Sequence, residues 1–417
     1  MSPVARAVVV VGGGPAGASA AITLARSGRR VILVDKATFP RDKFCGDGLT
    51  TSALRELEAL GLDPRSVDSW QPVRTMVIRG PEGQVANYRL PDDAGLFAAV
   101  ARRMDLDAAM FELARSAGAE IIEGVAVTGV RQYDDGVTVT LDDGRELDAA
   151  YVVAADGMWS PVRKLLGLDE ANYRGEWHAF RQYVRNVEGL EPEELVVFFE
   201  PDFLPGYFWC FPLPDGRANI GFGIALGKTL TARDMKRMWP DLLERPHVKA
   251  LLGPNVEPEA PHRAWPIPAS IDRATSGDGR VLFVGDAVRA CDTMSGEGIG
   301  QALISGRLAA ERLEADWHRP EAVQAGYRHD LDQHFVADHR MSVALSRMLS
   351  TTAGYRLFER TTRSKWARRN FVRWLWEDYP RAILFTPRRW GRGAFGGTGA
   401  YRPTSAATSR DLSLRKE

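Results

Sequence analysis

The stretch VVVVGGGPAG at residues 8–17 decides the fold of this chain. The four valines predict a buried strand, and the residues after them predict a tight turn into a helix that begins at Pro15. Gly12 permits the turn, Gly14 leaves room for a phosphate against the backbone, and Gly17 lets the helix lie close to the sheet. The first turn of such a helix offers unpaired N–H groups and a partial positive charge to an anion.

A second apolar strand follows this helix and ends in an acid. It runs from Val31 to Asp35, and Asp35 lies 18 residues after Gly17. That offset is near the one expected for a carboxylate that binds a ribose hydroxyl. Strand, glycines, helix, strand and acid in this order predict a dinucleotide-binding unit rather than an ordinary strand–helix turn.

Length and composition predict a soluble, cytoplasmic protein of several domains. The chain has 417 residues, too many for one simple core, and 45% of them are hydrophobic and 26% charged. The 54 Lys and Arg balance 54 Asp and Glu, so the net charge predicts no general attraction to nucleic acid. The few, widely spaced cysteines argue against a disulfide framework, no metal site is predicted, and no apolar run approaches the length of a membrane span.

The order of the elements predicts a nucleotide-binding domain that is interrupted and then completed late in the chain. Strand patterns dominate from Trp177 to about Trp265, whereas Val281 to Val284 returns to the buried-strand pattern of the beginning. A β-hairpin is predicted around the turn at Gly80 to Gly83. The predicted parts are the nucleotide-binding domain at 1–72, 101–170 and 276–330, a hairpin at 73–100 that joins the substrate domain at 171–275, a C-terminal helical segment at 331–402, and a disordered tail at 403–417.

A second glycine-rich stretch indicates which dinucleotide is bound. Gly285 and Asp286 follow a strand, and Gly296 to Gly298 precedes a helix that begins at Ile299. A long cofactor that spans the whole domain fits this layout, so FAD is predicted rather than NAD. Asp286 is expected to accept a hydrogen bond from the ribityl chain, unless it is a simple turn acid. The amides at Gly298 and Ile299 are expected to face the electron-rich pyrimidine edge of the flavin.

Four motifs give the chain a specific resemblance. They are Gly12-x-Gly14-x-x-Gly17 with Asp35, Pro40-x-x-Lys43-x-Cys45-Gly46, Tyr207-x-Trp209-x-Phe211-Pro212 with Gly221-x-Gly223, and Gly285-Asp286 with Gly296-Glu297-Gly298-Ile299. Through them the chain resembles the geranylgeranyl reductase family of flavoproteins, which shares the p-hydroxybenzoate hydroxylase fold. It looks closest to actinobacterial reductases of menaquinone chains. The resemblance covers about residues 8–312 and implies an α/β fold, with a Rossmann-type FAD-binding domain interrupted by an antiparallel β-sheet substrate domain and followed by a C-terminal helical segment.

The resemblance also implies which residues form the site. Arg103 and Asp156 fall where similar flavoproteins contact FAD. The predicted FAD-binding residues are Gly12, Gly14, Pro15, Ala16, Gly17, Asp35, Lys36, Cys45, Gly46, Arg103, Asp156, Gly285, Asp286, Gly296, Gly298 and Ile299. The predicted catalytic residues are Cys45, Tyr207 and Trp209.

The family reduces isolated carbon–carbon double bonds of prenyl chains, and this chemistry needs a proton donor in a dry site. An isolated alkene has no electron sink, so a proton must reach one carbon as the flavin hydride reaches the other. Cys45 is the predicted thiol beside the flavin, with a pKa lowered by Lys43 or Arg41; the alternative is a packing cysteine. The aromatic side chains predicted to line the substrate tunnel, unless they form only a sheet core, are Tyr207, Phe208, Trp209, Phe211 and Phe222.

Two positions depart from the family pattern. Asp47 replaces the second glycine of the commoner Cys-Gly-Gly form, and Thr293 stands where many relatives have proline. Both are expected near the reacting centre, so the exact substrate does not carry over. Cys210 and Cys291 lack the spacing of metal ligands and are predicted to pack.

The resemblance implies a prenylated lipid or quinone as substrate, with a geranylgeranyl group or a menaquinone side chain reduced. The alternative is a flavin monooxygenase or halogenase that acts on a small aromatic substrate, because those enzymes share the fold. The halogenase stretch Trp-x-Trp-x-Ile-Pro differs here at Tyr207 and Phe211. No second nucleotide fingerprint identifies the electron donor, so NAD(P)H and ferredoxin both stay open.

The end of the chain is basic and aromatic. From Arg340 onward it holds 17 Lys and Arg against 5 Asp and Glu. The segment Phe371 to Tyr379 is predicted to lie as a short amphipathic helix on an anionic membrane, which would place the protein at the inner face of the cell membrane. The alternative is that these residues cap the FAD-binding domain.

Overall fold

The computed structural model describes residues 6–79, 85–91, 94–225, 232–351, 353–354, 356–357, 360 and 398–402. The predicted hairpin turn at Gly80 to Gly83, the predicted membrane-binding segment Phe371 to Tyr379 and the tail from Pro403 lie outside the described residues.

Strands make up both large layers of the fold. In chain order they are β1 Ala7–Val11, β2 Val31–Asp35, β3 Gly48–Leu49, β4 Gln71–Val73, β5 Thr75–Arg79, β6 Val85–Arg89, β7 Ala98–Val100, β8 Glu120–Glu123, β9 Val127–Tyr133, β10 Gly136–Leu141, β11 Glu146–Ala154, β12 Trp177–Arg185, β13 Glu194–Phe198, β14 Tyr207–Leu213, β15 Arg217–Ala225, β16 Glu257–Pro258, β17 Arg263–Ile267, β18 Gly277–Asp278 and β19 Val281–Phe283. The α-helices of the described residues are α1 Pro15–Arg26, α2 Thr51–Ala59, α3 Arg103–Ser116, α4 Pro161–Leu165, α5 Ala232–Leu243, α6 Pro246–Leu252, α7 Ile299–Asp316, α8 Pro320–Leu331 and α9 Ala337–Leu349.

The first large sheet places β1 near its centre. Its strand order is β18-β19-β11-β1-β2-β8, and β9 and β10 extend it through β11. β1 runs parallel to both β11 and β2 and is covered on both faces, which is why its sequence is a continuous run of valine. Val8, Val9 and Val10 have no exposed surface, and burying each contributes about 1.5–3 kcal/mol.

Helices α1 and α7 touch at their backbones beside this sheet. A Cβ added to Gly306 of α7 would stand 2.1 Å from the carbonyl oxygen of Ala16 in α1. Within the same contact the Ser19 hydroxyl donates to the carbonyl oxygen of Leu303 at 2.8 Å. Small residues at this crossing allow the N-termini of both helices to reach one cavity.

The second large sheet has the order β16-β12-β15-β14-β13-β5-β6, and β17 also pairs with β12. Neighbouring strands are antiparallel except β5 and β13, which are parallel. The strands of residues 177–267 pair in antiparallel fashion as predicted, and β5 of the predicted hairpin joins them in parallel beside β13. Helices α5 and α6 cover one face of the sheet, and the other face looks toward the cavity.

A small third sheet has the order β3-β7-β4, and α9 brings Leu349 to the cavity. The described residues 398–402 return to the nucleotide-binding domain. The Tyr401 amide donates to Glu58 at 2.9 Å, and Ala400 pairs with Leu96. Within the described ranges, no helix is long and apolar enough to cross a bilayer.

Candidate active site

One cavity of about 730 Å³ is lined by both large sheets. Every residue of the predicted site lines it except Gly17. A Cβ on Gly17 would stand 1.8 Å from the carbonyl oxygen of Gly12, so this glycine serves the close packing of α1 on the turn rather than the cavity wall. The fold thus gathers residues from four distant parts of the chain around one space.

The glycine turn forms a cradle for an anion. Gly12 has a φ of +104°, a conformation that favours glycine. A Cβ on Gly14 would meet no backbone, but it would stand 3.5 and 3.6 Å from guanidinium nitrogens of Arg41 and Arg103. A space flanked by two guanidinium groups and by the N-terminus of α1 fits a pyrophosphate. The residues present therefore fit FAD.

A buried carboxylate holds both guanidinium groups in place. Arg103 makes a bidentate pair with Asp107 at 2.6 and 2.7 Å, and Arg41 lies 3.0 Å from the same carboxylate. One negative charge faces two positive charges, so this cluster favours a further anion. Arg103 is the first residue of α3. The missed signal was the Arg-x-x-x-Asp spacing, which puts both side chains on one helix face.

The acids of the nucleotide end also organise the backbone. Asp35 accepts hydrogen bonds from the amides of Gly13 at 2.7 Å and Ala37 at 2.8 Å, which ties the glycine turn to the end of β2. Asp156 accepts from the amide of Val162 at 2.8 Å, and burial raises the pKa of its carboxyl group. Both side chains still line the cavity, as does the exposed Lys36 beside Asp35.

The opposite end of the cofactor space is built by the turn before α7. Gly285 and Gly296 have φ values of +60° and +67°, which favour glycine, and Gly298 precedes the first turn of α7. The unpaired amides of that turn can stabilise negative charge on a flavin ring. Asp286 lines the cavity and accepts a hydrogen bond from the Cys291 thiol at 3.3 Å. Cys291, which was predicted only to pack, is therefore part of the cavity wall.

Strand β14 supplies an aromatic wall. Tyr207, Trp209 and Phe211 line the cavity. Phe208 and Phe222 instead belong to the core under α5 and α6. The prediction that these two phenylalanines line the substrate tunnel is wrong, because successive side chains of a strand point to opposite faces and Phe208 pairs with Phe222 on the far one.

The polar atoms of the aromatic wall are occupied by the protein. The Tyr207 hydroxyl donates to the carbonyl oxygen of Ser295. The Trp209 indole N–H donates to the Asn219 side-chain oxygen at 3.0 Å. These two hydrogen bonds hold the rings of Tyr207 and Trp209 in the wall of the cavity.

Cys45 lies where the nucleotide end meets the aromatic wall. A Cβ on the adjacent Gly46 would stand 3.6 Å from the rings of both Trp209 and Phe211. Burial raises the pKa of the Cys45 thiol above its ordinary value, and this outweighs the Arg103 guanidinium, which lowers it. The predicted low-pKa thiol is therefore wrong, and the group carries its proton at neutral pH.

The two cations predicted to activate Cys45 are not the main ones that act on it. Lys43 lies over the Trp265 ring at 3.9 Å, and burial lowers the pKa of its amine. Arg41 pairs with Asp107. The cation with the largest effect on the thiol pKa is Arg103, which comes from α3 and is distant in sequence.

Asp47 and Thr293, the two departures from the family pattern, lie in different surroundings. Asp47 lines the cavity, and burial raises the pKa of its carboxyl group to about 6. Thr293 does not line the cavity; its hydroxyl lies 3.3 Å from His339 Nδ1 and from the carbonyl oxygen of Ala269. Its side chain faces α9 and the loop at Ala269. Asn219, which bonds to Asp47, escaped prediction, although a polar residue in the apolar strand β15 is a usable signal.

The fold and this site define a flavoprotein, and comparison with known proteins agrees. The family described as the FAD binding domain matches residues 5–314. The chain belongs to this family and is an FAD-dependent oxidoreductase.

Two relatives show which branch of the flavoproteins it resembles. Menaquinone reductase of Mycobacterium tuberculosis is 35% identical over 330 residues, which cover 74% of this chain and 76% of that protein. Digeranylgeranylglycerophospholipid reductase 2 of Methanopyrus kandleri is 30% identical over 324 residues, covering 74% and 78%. The predicted membership of the geranylgeranyl reductase family is confirmed.

Solved structures share the fold. A geranylgeranyl bacteriochlorophyll reductase-like protein from Thermoplasma acidophilum has a TM-score of 0.75 at 21% identity and covers 92% of this chain and 98% of that one. The halogenase PltM in complex with phloroglucinol and FAD has a TM-score of 0.67 at 18% identity and covers 85% and 79%. The predicted α/β fold is confirmed.

Proposed function

We propose that this protein uses reduced FAD to saturate isolated carbon–carbon double bonds in a prenyl chain, either a geranylgeranyl group or the isoprenoid side chain of a menaquinone. One feature carries the proposal. The same cavity contains the anion cradle at one end and the aromatic wall of β14 at the other, and the protonated thiol of Cys45 lies where the two ends meet. The two relatives named above support this substrate class.

Bound FAD, once reduced, supplies the hydride. The chain must supply the proton, and Cys45 Sγ holds one at the edge of the apolar half of the cavity. Because its pKa is raised, the thiol is protonated at neutral pH and can give its proton to the alkene carbon that does not receive the hydride. A thiolate in this place would have no proton to give.

The aromatic wall has the second task. The Tyr207 and Trp209 ring centroids are 6.1 Å apart, as are those of Trp209 and Phe211, so the three rings form one continuous apolar surface. Such a surface binds a slender hydrocarbon by burial and excludes water from the reacting carbons. The aromatic wall therefore favours hydrocarbon chains that carry no polar group at the reacting double bond.

The mass of the product tests the proposal. The purified holoenzyme is reduced with dithionite without oxygen and incubated with a geranylgeranylated lipid or a menaquinone. We expect the product to gain two hydrogens per reduced bond. A product that instead gains an oxygen or halogen atom, and only in air, would assign the monooxygenase or halogenase alternative that the PltM-like fold keeps open.

The electron donor is proposed to be NAD(P)H or a ferredoxin. Anaerobic bleaching of the flavin by each donor in turn distinguishes them. A donor that bleaches the flavin no faster than buffer alone is excluded.

A peripheral contact with anionic membrane is a further part of the proposal, since prenyl lipids reside in bilayers. Its support is the surplus of Lys and Arg after Arg340. The intact protein should sediment with anionic vesicles, less so at high salt, and not with neutral vesicles. Truncation before Phe371 should abolish sedimentation and keep the flavin. Loss of flavin on truncation would favour the capping role, and an intact protein that ignores anionic vesicles would remove the membrane contact.

A further inference from the structure

Asp47 is a buried acid whose charge no cation neutralises directly. Its side chain has no exposed surface, and its φ of +66° is one that few non-glycine residues adopt. Within the described part of the chain it forms no ion pair; three neutral donors bind it instead. The Tyr183 hydroxyl donates to Oδ2 at 2.6 Å, the Asn219 amide donates to the same oxygen at 2.8 Å, and the Arg103 backbone N–H donates to Oδ1 at 3.3 Å.

The same amide group couples Asp47 to Cys45. Asn219 Nδ2 donates to the carbonyl oxygen of Cys45 at 2.9 Å as well as to the Asp47 carboxyl group. Both side chains line the cavity, two residues apart on one loop. The Asn219 bridge ends at the Cys45 backbone, so a proton that passes between the two side chains crosses the cavity that both line. When the carboxyl group is ionised, its charge opposes loss of the thiol proton.

Charged groups of four surrounding elements act on this pair. Arg103 of α3 favours ionisation of the thiol, and Arg181 of β12 favours ionisation of the acid, although Arg181 also pairs with Asp42 at 2.8 Å. Lys43 lies on the same loop, and Cys291 and Asp286 lie across the cavity. Desolvation outweighs the cations at both groups, so the acid and the thiol both bind protons more tightly than in water.

We propose that Asp47 is the partner of Cys45 that keeps its thiol protonated and restores the proton after each turnover. The proposal rests on the proposed reduction of prenyl chains. In each turnover the Cys45 S–H bond breaks, a C–H bond forms on the substrate, and both electrons of the reduction come from the reduced cofactor. The Asp47 O–H bond then breaks and the S–H bond forms again. The carboxylate left behind takes a proton from water in the cavity that it lines, and Tyr183 and Asn219 hold it in position throughout.

The competing view is that Asp47 only holds the loop through its hydrogen bonds. Three variants separate the two views. Asp47→Asn keeps the shape of the side chain but cannot carry a proton. Tyr183→Phe removes one hydrogen bond of the same carboxyl group and keeps the proton carrier. Cys45→Ser removes the thiol itself.

The first measurement follows anaerobic reoxidation of the reduced holoenzyme on mixing with prenyl substrate. Each Asp47→Asn molecule starts with a protonated thiol, so its first turnover should proceed within about threefold of the wild-type rate, and later turnovers should slow by about tenfold or more. The result is a burst of one product per enzyme. Tyr183→Phe should show no burst, and Cys45→Ser should lose the first turnover as well. Equal slowing of first and later turnovers in Asp47→Asn, or no slowing, would overturn the proposal.

The second measurement needs no substrate. Alkylation of Cys45 by iodoacetamide is followed against pH and read by mass on its own peptide. Removing the Asp47 charge should lower the thiol pKa, so Asp47→Asn should be alkylated about threefold faster or more at mildly alkaline pH, with Tyr183→Phe close to wild type. If the wild type makes no product from any prenyl substrate, the proposed function is wrong. The pH dependence of Cys45 alkylation would still show whether Asp47 acts on the thiol. An unchanged alkylation profile in Asp47→Asn would reject the role of Asp47.

Discussion

Replacing Gly14 by valine should remove the flavin and spare the fold. Gly14 has φ −72° and ψ −176°, which valine adopts readily. Its Cβ would touch no backbone and would stand 3.5 Å or more from the two guanidinium groups. The added side chain therefore enters the space between the two guanidinium groups that is assigned to the pyrophosphate.

The expected energies separate binding from stability. At the N-cap of a helix, valine is less favourable than glycine by about 1 kcal/mol. Valine also reduces the conformational entropy of the unfolded chain, which stabilises the folded state by a similar amount. The free energy of unfolding should therefore change little. The pyrophosphate loses the amide hydrogen bonds of the first turn of α1. Two charge-assisted hydrogen bonds contribute about 3–6 kcal/mol, so FAD affinity should fall by roughly a hundredfold to ten-thousandfold.

The assay is reconstitution of the flavin-free protein with FAD, followed by fluorescence, with thermal unfolding of the same samples. Gly17→Ala is the matched control, because its Cβ would stand 1.8 Å from the Gly12 carbonyl oxygen. That variant should lose about 3 kcal/mol of stability and its flavin together. If Gly14→Val binds FAD as tightly as the wild type while folded, the assignment of the cradle to the pyrophosphate is refuted.

Three further outcomes are expected. Cys45→Ser should keep FAD and stability but lower turnover by about tenfold or more, measured as product per flavin; unchanged turnover would leave Cys45 as a packing residue. The stability of Asp47→Asn relative to the wild type should rise by up to about 3 kcal/mol as pH rises from 3.8 to about 6, because the pKa of Asp47 rises between these values on folding. The folded wild type binds the extra proton in this range and loses stability as it is released, whereas the variant has no such group. Urea unfolding at acid and neutral pH would detect this change, and a difference that does not depend on pH would contradict it. Gly306→Ala should unfold at a lower temperature and lose flavin, since its Cβ would stand 2.1 Å from the carbonyl oxygen of Ala16. The control Gly28→Ala meets no atom within 4 Å, so it should lose only the stability that its strained φ of +87° costs. Equal melting temperatures of the two variants would contradict the close crossing of α1 and α7.

The nucleotide end of the site could be predicted because its chemistry is local. The run of valines, the glycine turn, Pro15 and the acid at Asp35 lie within 28 residues, and each has its own geometric reason. The structure places β1, the start of α1 and the end of β2 where this stretch predicts them.

The proton-handling end could not be predicted because it is assembled from distant segments. Tyr183 and Asn219 lie 136 and 172 residues from Asp47 in sequence, yet both bind its carboxyl group. The direction of the Cys45 pKa shift could not be predicted for the same reason. Sequence neighbours suggested activation by cations, whereas burial by the rest of the fold decided the direction. Strand alternation, by contrast, was available from the sequence and would have separated Phe208 from the cavity wall.

The late completion of the nucleotide-binding domain bears on how the protein is made. Ser19 bonds to Leu303 across 284 residues, and β11 gains its neighbour β19 only after the second sheet has been synthesised. Until β19 leaves the ribosome β11 keeps an open edge, and until α7 follows α1 lacks its partner helix, which exposes the nascent chain to aggregation. Flavin uptake is therefore a late event in biogenesis, and a prematurely terminated chain that stops before α7 should emerge colourless whatever the state of its first glycine turn.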